Sequence, residues 1–333
     1  MKTRNDYFNG WSTRVIFGSI AWLGTGVLSL LGVIELDLVE QFFLLAPLVI
    51  TPLGLALVEI PDQARQLQLL YNLIRVAQPF GAMAVIIAFL LPSGLLAGVL
   101  AASWLGITAL IALLGCMRFV SRGFVVTEEI GIDAGLAYLL VGGGWLVLAR
   151  LGANPLGFGD LIVLLTAVHF HYAGFAAPII SNMVGRTLMA APQAMRIIHR
   201  ISLVGIIAGM PLVAAGITFS PLLEVSGAIG LATSLAMFAF LMIFSASRIV
   251  THRVGQILLT VSAICLIIGM VFTCLYAVSE FTGYYWVVIP QMVKFHGLTN
   301  AFGFALCGLL AGNILHSQHQ AASFQPIVEP KPR

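Results

Sequence analysis

Apolar stretches of about twenty residues recur along nearly the whole chain, and each is long enough to cross the roughly 30 Å hydrocarbon core of a bilayer as a helix. They fall at 13–34, 36–58, 75–92, 94–117, 132–150, 160–182, 199–219, 223–246, 254–278 and 292–315. The pattern predicts an all-α, polytopic transmembrane bundle of about ten helices. The third stretch is the weakest, because Arg75, Gln78 and Pro79 sit at its start and only Pro92, Ser93 and Gly94 separate it from the fourth. A count of nine therefore stays open at this point. Composition agrees with the spans: 16 Lys and Arg plus 13 Asp and Glu make 29 charged residues of 333, where a soluble protein carries about a quarter. Mean hydropathy is +1.03, and so large an apolar excess must face lipid.

The few charges are sorted by side. Cytoplasmic loops carry an excess of Lys and Arg. With ten spans and the N-terminus inside, Lys2, Arg4, Arg14, Arg65, Arg75, Arg118, Arg122, Arg186, Arg196, Arg200, Arg248, Arg253, Lys331 and Arg333 all fall on the cytoplasmic side, and only Arg150 and Lys294 fall outside. One miscounted span would scramble this division, since every later loop would change sides. Both termini are thus expected on the cytoplasmic side. The basic lead before the apolar run from Val15 to Ile34 resembles a secretory signal, but no small-x-small cleavage site precedes Glu35, so the run reads as a retained first span. Residues 61–77 alternate charged and apolar positions at helical spacing and predict a surface-lying helix leading into the third span. Residues 1–315 read as a single membrane domain and 316–333 as a disordered cytoplasmic tail. Cys116, Cys265, Cys274 and Cys307 lie in apolar surroundings, without the spacing of a disulfide framework or a zinc site. A net charge of +3 that arises from sidedness gives no reason to invoke nucleic acid. The expected partners are the lipid bilayer and a small solute or lipid-soluble molecule.

Ionisable groups near the membrane midplane mark functional sites by default. In the sixth span, Val168-His169-Phe170-His171-Tyr172-Ala173-Gly174-Phe175 places two histidines about 14 to 17 Å below a helix start at Asp160. Residues two apart on an α-helix point about 200° apart, so His169 and His171 reach one ligand only if the helix is distorted, and Pro178 supplies a cause of distortion. In the tenth span, His296, Asn300, Gly303 and Cys307 form one polar and small-residue stripe at similar depth, so His296 is placed to converge on His169. Gly142, Gly143 and Gly144 in the fifth span permit close helix approach. Glu40, one turn inside the outer end of the second span, is either a partner of this pocket or an interfacial acid. The expected substrate-binding or proton-relay set is His169, His171, Tyr172, His296, Asn300 and Glu40, with His169, His171 and His296 as the candidate metal ligands and no cofactor named.

The VHFHYAGF stretch at 168–175, the FHGLTNAFGF stretch at 295–304 and the DAGLAYLLVGGGW stretch at 133–145 resemble the YndJ-like family of bacterial multipass membrane proteins. The resemblance implies a multipass protein of the kind labelled as a transporter, with no substrate and no catalytic residue carried over. Three functions compete on the residues. A transporter would use histidine's unperturbed pKa of about 6.5 to bind solute or relay protons, with Glu40, Asp160, Glu224 and Glu280 drawing cations to the outer side. A haem- or metal-binding redox protein or enzyme would use His169 or His171 with His296 as ligands. A membrane enzyme acting on a lipid-soluble substrate would need a histidine general base, but no G-x-S-x-G elbow is present and Ser181 and Ser226 have no base at helical spacing.

Overall fold

The structure is a computed structural model that describes residues 4–61, 63–123 and 129–323. Ten helices among the described residues are long and apolar enough to cross a membrane. They are α1 (Arg4–Leu30), α2 (Leu38–Ala56), α3 (Arg65–Phe89), α4 (Leu95–Arg122), α5 (Ile130–Leu151), α6 (Asp160–Ala190), α7 (Gln193–Phe219), α8 (Pro221–Arg248), α9 (Arg253–Thr282) and α10 (Ile289–Gln318). The third span is thus one helix long and apolar enough for a full crossing. It begins at Arg65, ten residues before the expected start, and takes in most of the segment read as a separate surface-lying helix. No breaker interrupts the chain between Arg65 and Pro79, so one helix forms. The tenth helix runs on to Ser323, past the boundary expected at 315. Lys2, Asp62, Glu128, Glu329, Lys331, Arg333 and the rest of the tail from 324 onward lie outside the described residues.

Burial divides the helices into a centre and a rim. In α2, 83% of the membrane-spanning window is buried, and in α6 61%, against 11% in α1. The helices α1, α3, α4, α5, α7, α8, α9 and α10 form a ring around these two, each packed on its neighbours. Trp22 of α1 meets Phe302 of α10 at 5.6 Å between ring centroids, which closes the ring. Rim helices turn Ile16, Ile20, Val99, Val120, Val204 and Ile257 outward, all more than half exposed, as a lipid-facing surface requires. Ten crossings return the chain to the end where it began: Trp11 Nε1 of α1 donates to Tyr71 Oη near the start of α3, and His316 of α10 lies 3.6 Å from Glu59 just after α2.

Prolines inside membrane helices free carbonyls, each of which costs several kcal/mol in hydrocarbon if left unbonded. This fold supplies side-chain donors from other helices. Pro79 frees the Arg75 carbonyl, which accepts from Arg14 Nε of α1 at 2.6 Å. Pro211 frees the Ile207 carbonyl, which accepts from Tyr138 Oη of α5 at 2.6 Å. In α2, Pro47 and Pro52 stand five residues apart, and the backbone between them winds as a π-helix over Ala46–Ile50. The Thr51 amide bonds Ala46 and Pro52 has no amide, so the Pro47 carbonyl finds no partner in its own helix. Buried Gln78 of α3 supplies one, with Nε2 to Pro47 O at 2.6 Å. Pro52 also frees the Leu48 carbonyl, against which α1 packs at Gly18, where a Cβ would collide with it.

Candidate functional site

Three helices depart from α geometry, and they do so where they meet. Besides Ala46–Ile50 in α2, π-helical turns occupy Phe170–Ala176 in α6 and Met292–Gly297 and Thr299–Leu306 in α10. The α6 turn packs on both the α2 and α10 turns. Such turns concentrate at functional sites because the extra residue re-aims side chains. All of the expected site residues except Glu40 lie in or beside these turns.

The two histidines of α6 part company there. His171 is fully buried and turns toward α4, where its Nε2 accepts from Trp104 Nε1 at 2.9 Å. Its Nδ1 must then carry the proton, which it donates to Ala167 O at 2.8 Å. The ring sits edge-on to Phe43 of α2 at 4.8 Å. Both nitrogens are engaged, so His171 keeps no lone pair for a ligand. Gly142 makes this possible, since a Cβ there would stand 2.6 Å from His171 Nδ1. Gly143 likewise admits Thr108 and the Leu105 backbone of α4, whereas Gly144 faces open space. Buried Tyr172 donates its hydroxyl to Phe42 O at 2.8 Å, tying α6 to α2.

His169 points the other way, toward α10, and its ring centroid lies 6.1 Å from that of His296. Its Nδ1 donates to Leu165 O at 2.7 Å. The residue is exposed, and its Nε2 has no hydrogen-bond partner among the described residues. His296 is different again. Its Nδ1 lies 3.0 Å from Gly269 O of α9, an acceptor, but also 3.2 Å from Thr273 Oγ1 and 3.3 Å from Asn300 Nδ2, both donors. Either tautomer therefore finds a partner. Asn300 also donates Nδ2 to His296 O at 2.8 Å, and it packs so closely on Gly269 that no Cβ fits there. His169, His296 and Asn300 thus come together, while His171 and Tyr172 brace the wall behind them.

Glu40 stands apart. Its Oε2 accepts from the Asp37 amide at 2.9 Å, as Asp37 Oδ1 accepts from the Glu40 amide at 2.8 Å, a reciprocal cap on α2. Its Oε1 lies 3.9 Å from Arg150 Nη1. Arg150 donates Nη2 to Leu91 O at 2.6 Å and lies over the Phe89 ring. Among the described residues no group of three or more His, Cys, Asp and Glu side chains is gathered for a metal ion. His199 of α7 packs against Ser181 of α6, with Nε2 3.3 Å from Ser181 Oγ, but the same nitrogen donates to Ser181 O at 2.8 Å. A nitrogen that carries a proton offers Ser181 no base.

The opposite end of the bundle holds a charged network that hydropathy reasoning passes over. Arg118 of α4, 5% exposed, donates Nε to Asp133 Oδ1 and Nη2 to Glu129 Oε2, both at 2.9 Å, and Nη1 to Glu59 O. Arg122 pairs with the other Asp133 oxygen. Arg186 of α6 meets Glu129 Oε1 through Nη2 at 2.7 Å and Nε at 2.8 Å, and Glu59 Oε1 at 3.3 Å. Burial alone would push the Glu129 carboxyl up, but the Arg186 and Arg118 charges outweigh it and hold the pKa below its ordinary 4.5. The sequence did carry a signal: Arg118 with Arg122, and Glu129 with Asp133, are four apart and so share a helix face.

The fold and the burial pattern define a polytopic helical membrane protein with a pair of histidines facing each other in one half and a charged network at the other end. The sequence profile described as YndJ-like protein matches residues 41–304, and the chain belongs to that family. It is 32% identical over 211 residues to the uncharacterized membrane protein YndJ of Bacillus subtilis (strain 168), an alignment covering 63% of this chain and 37% of that protein. The chain thus spans little more than a third of that relative's length. No solved structure matches.

Proposed function

We propose that this chain is a transporter of the bacterial inner membrane, in which His169 and His296 bind a small solute or relay protons. Its charged end and both termini face the cytoplasm. The observation that carries this reading is the meeting of His169 and His296 from two spans, with His296 Nδ1 set between an acceptor and two donors. A histidine whose Nδ1 meets an acceptor when it carries the proton and donors when it does not can take up or release a proton with a partner at that nitrogen in either state. His171 and Tyr172 hold the α6 turn that aims His169, Asn300 and Thr273 set the donors at His296, and the π-helical turns supply the irregular backbone seen where membrane helices line a path.

The test is flux in proteoliposomes. A pH jump across vesicles with an entrapped pH dye, with and without a panel of external solutes, is expected to report proton or solute movement. His169→Ala and His296→Ala are each expected to abolish it while leaving insertion and detergent-solubilised size unchanged. Absence of movement across a wide panel sinks the reading, and so does undiminished flux in both variants.

A further inference from the structure

The charged network is made of two parts that differ in how firmly they are held. Arg118 and Asp133, 5% and 4% exposed, link α4 to α5, and Arg122 adds a second hold on the same carboxylate. Separating buried ions leaves uncompensated charge in an apolar interior, so this part stays shut. Arg186 and Glu59, 25% and 44% exposed, link the end of α6 to the segment after α2. Pairs that water reaches exchange one partner for another at little cost. His316 of α10 lies 3.6 Å from the same Glu59 oxygen.

We propose that Arg186, held by Glu129 and Glu59, is the gate at the charged end of the path that begins at the histidine pair, and that the α4–α5 hairpin with Arg118 and Asp133 is the fixed post it closes on. This inference rests on the transport reading and adds to it the side that is shut. Seventeen residues of α6 separate His169 from Arg186, about 25 Å along a helix, so histidine pair and gate lie in opposite halves of the bundle. One turn before Arg186 on α6, buried Met183 packs at Gly312 of α10, where Leu57 of the α2 end also packs, and this is the seam that must part for a path to reach this end. On the α5 side of α6, fully buried Asn182 packs at Gly131, beside the Arg186–Glu129 contact. Its Nδ2 reaches Glu129 Oε1 at 3.4 Å, while its Oδ1 has no partner among the described residues. An orphaned amide oxygen beside the Arg186–Glu129 contact gains a partner when Arg186 leaves and water enters there.

The experiment places one cysteine behind the gate. In a full-length background with Cys116, Cys265, Cys274 and Cys307 replaced by alanine, Met183→Cys is labelled with a membrane-impermeant maleimide in inside-out and right-side-out vesicles. Labelling from the charged side is expected to be slow in the parent. Arg186→Ala should speed it about tenfold, because modification of a transiently opened state tracks the population of that state. Arg186→Lys, which keeps the charge, should stay near the parent rate. Glu59→Gln is expected to speed labelling by a smaller factor and serves if Arg186→Ala fails to fold. An unchanged rate in folded Arg186→Ala, or in Glu59→Gln where that variant stands in, overturns the gate, as does equal acceleration by Arg186→Lys. Labelling needs no substrate, so the two ideas fail separately: a protein that moves nothing but opens on loss of Arg186 retires transport, and flux with unchanged labelling retires only the gate.

Discussion

At one end of the bundle Arg118, Arg122 and Arg186 share Glu59, Glu129 and Asp133 so fully that each carboxylate faces at least one guanidinium. In the other half, His169 and His296 meet with spare hydrogen-bonding capacity. Both regions gather polar groups between helices, yet one spends its capacity on holding helices together and the other keeps some in reserve. His171, two residues from His169, belongs with the first kind, since Trp104 and Ala167 use both its nitrogens. Saturated polar groups that are also buried, such as Arg118 and His171, should therefore govern stability and unsaturated ones activity.

The largest effect that would break this comparison is at Arg118. Arg118→Ala should lower stability by about 3–5 kcal/mol, because Asp133 and Glu129 lose a buried partner, and thermal unfolding in detergent reads it. A stability close to the parent would mean that the network is hydrated and does not hold the fold. Next comes the contrast between the two histidines of α6. His171→Ala should cost about 2–4 kcal/mol, through a cavity and an unbonded Trp104 N–H, whereas His169→Ala should cost under about 1 kcal/mol and yet stop flux. Equal destabilisation by both would erase the distinction.

Smaller losses are expected where side chains cover proline-freed carbonyls. Gln78→Leu and Tyr138→Phe should each cost about 1–3 kcal/mol, as each leaves a buried carbonyl without a donor. A folded, unshifted Gln78→Leu would show that the Pro47 carbonyl is satisfied in another way. The pH dependence of Glu129 follows from its lowered pKa. A group held below its unfolded value contributes stability that is whole above 4.5 and lost as pH falls through the folded value. Arg118, Arg186 and Asn182 face it directly, with Asp133, Arg122, Glu59 and His316 beyond. Melting temperature should thus fall on acidification below 4.5, and Glu129→Gln should flatten that part of the profile. The smallest effect is at Glu40. Its contact with Arg150 is loose at 3.9 Å, so Glu40→Gln should change stability by under about 1 kcal/mol, and a larger loss would make it a structural partner on a par with the charged end.

Much of the arrangement was legible in particular residues. The apolar stretches predicted ten helices, and the i, i+4 stripe from His296 to Cys307 predicted that His296 would turn into the bundle near His169. The expected start of the third helix was late because Arg75, Gln78 and Pro79 read as a polar break, whereas in the fold Arg14 and Gln78 use their polarity to repair what Pro47 and Pro79 disturb. Trp104 gave no sign of its role, since an indole in an apolar helix looks the same whether its N–H meets a histidine or the headgroup layer. The charged network was visible only as a list of residues on one side.

The sequence by itself determined that the chain is a bundle of nine or ten apolar helices, because helix length and hydrophobicity are local properties that lipid reads directly. The sidedness of its charges set an expectation of orientation in the same local way. What tertiary structure decided is which polar groups are satisfied. That depends on contacts between helices far apart in the chain, such as Trp104 with His171 and Arg186 with Glu59. A hydrogen bond turns on a few tenths of an ångström and the proton on one nitrogen, and no periodicity along a single helix records either.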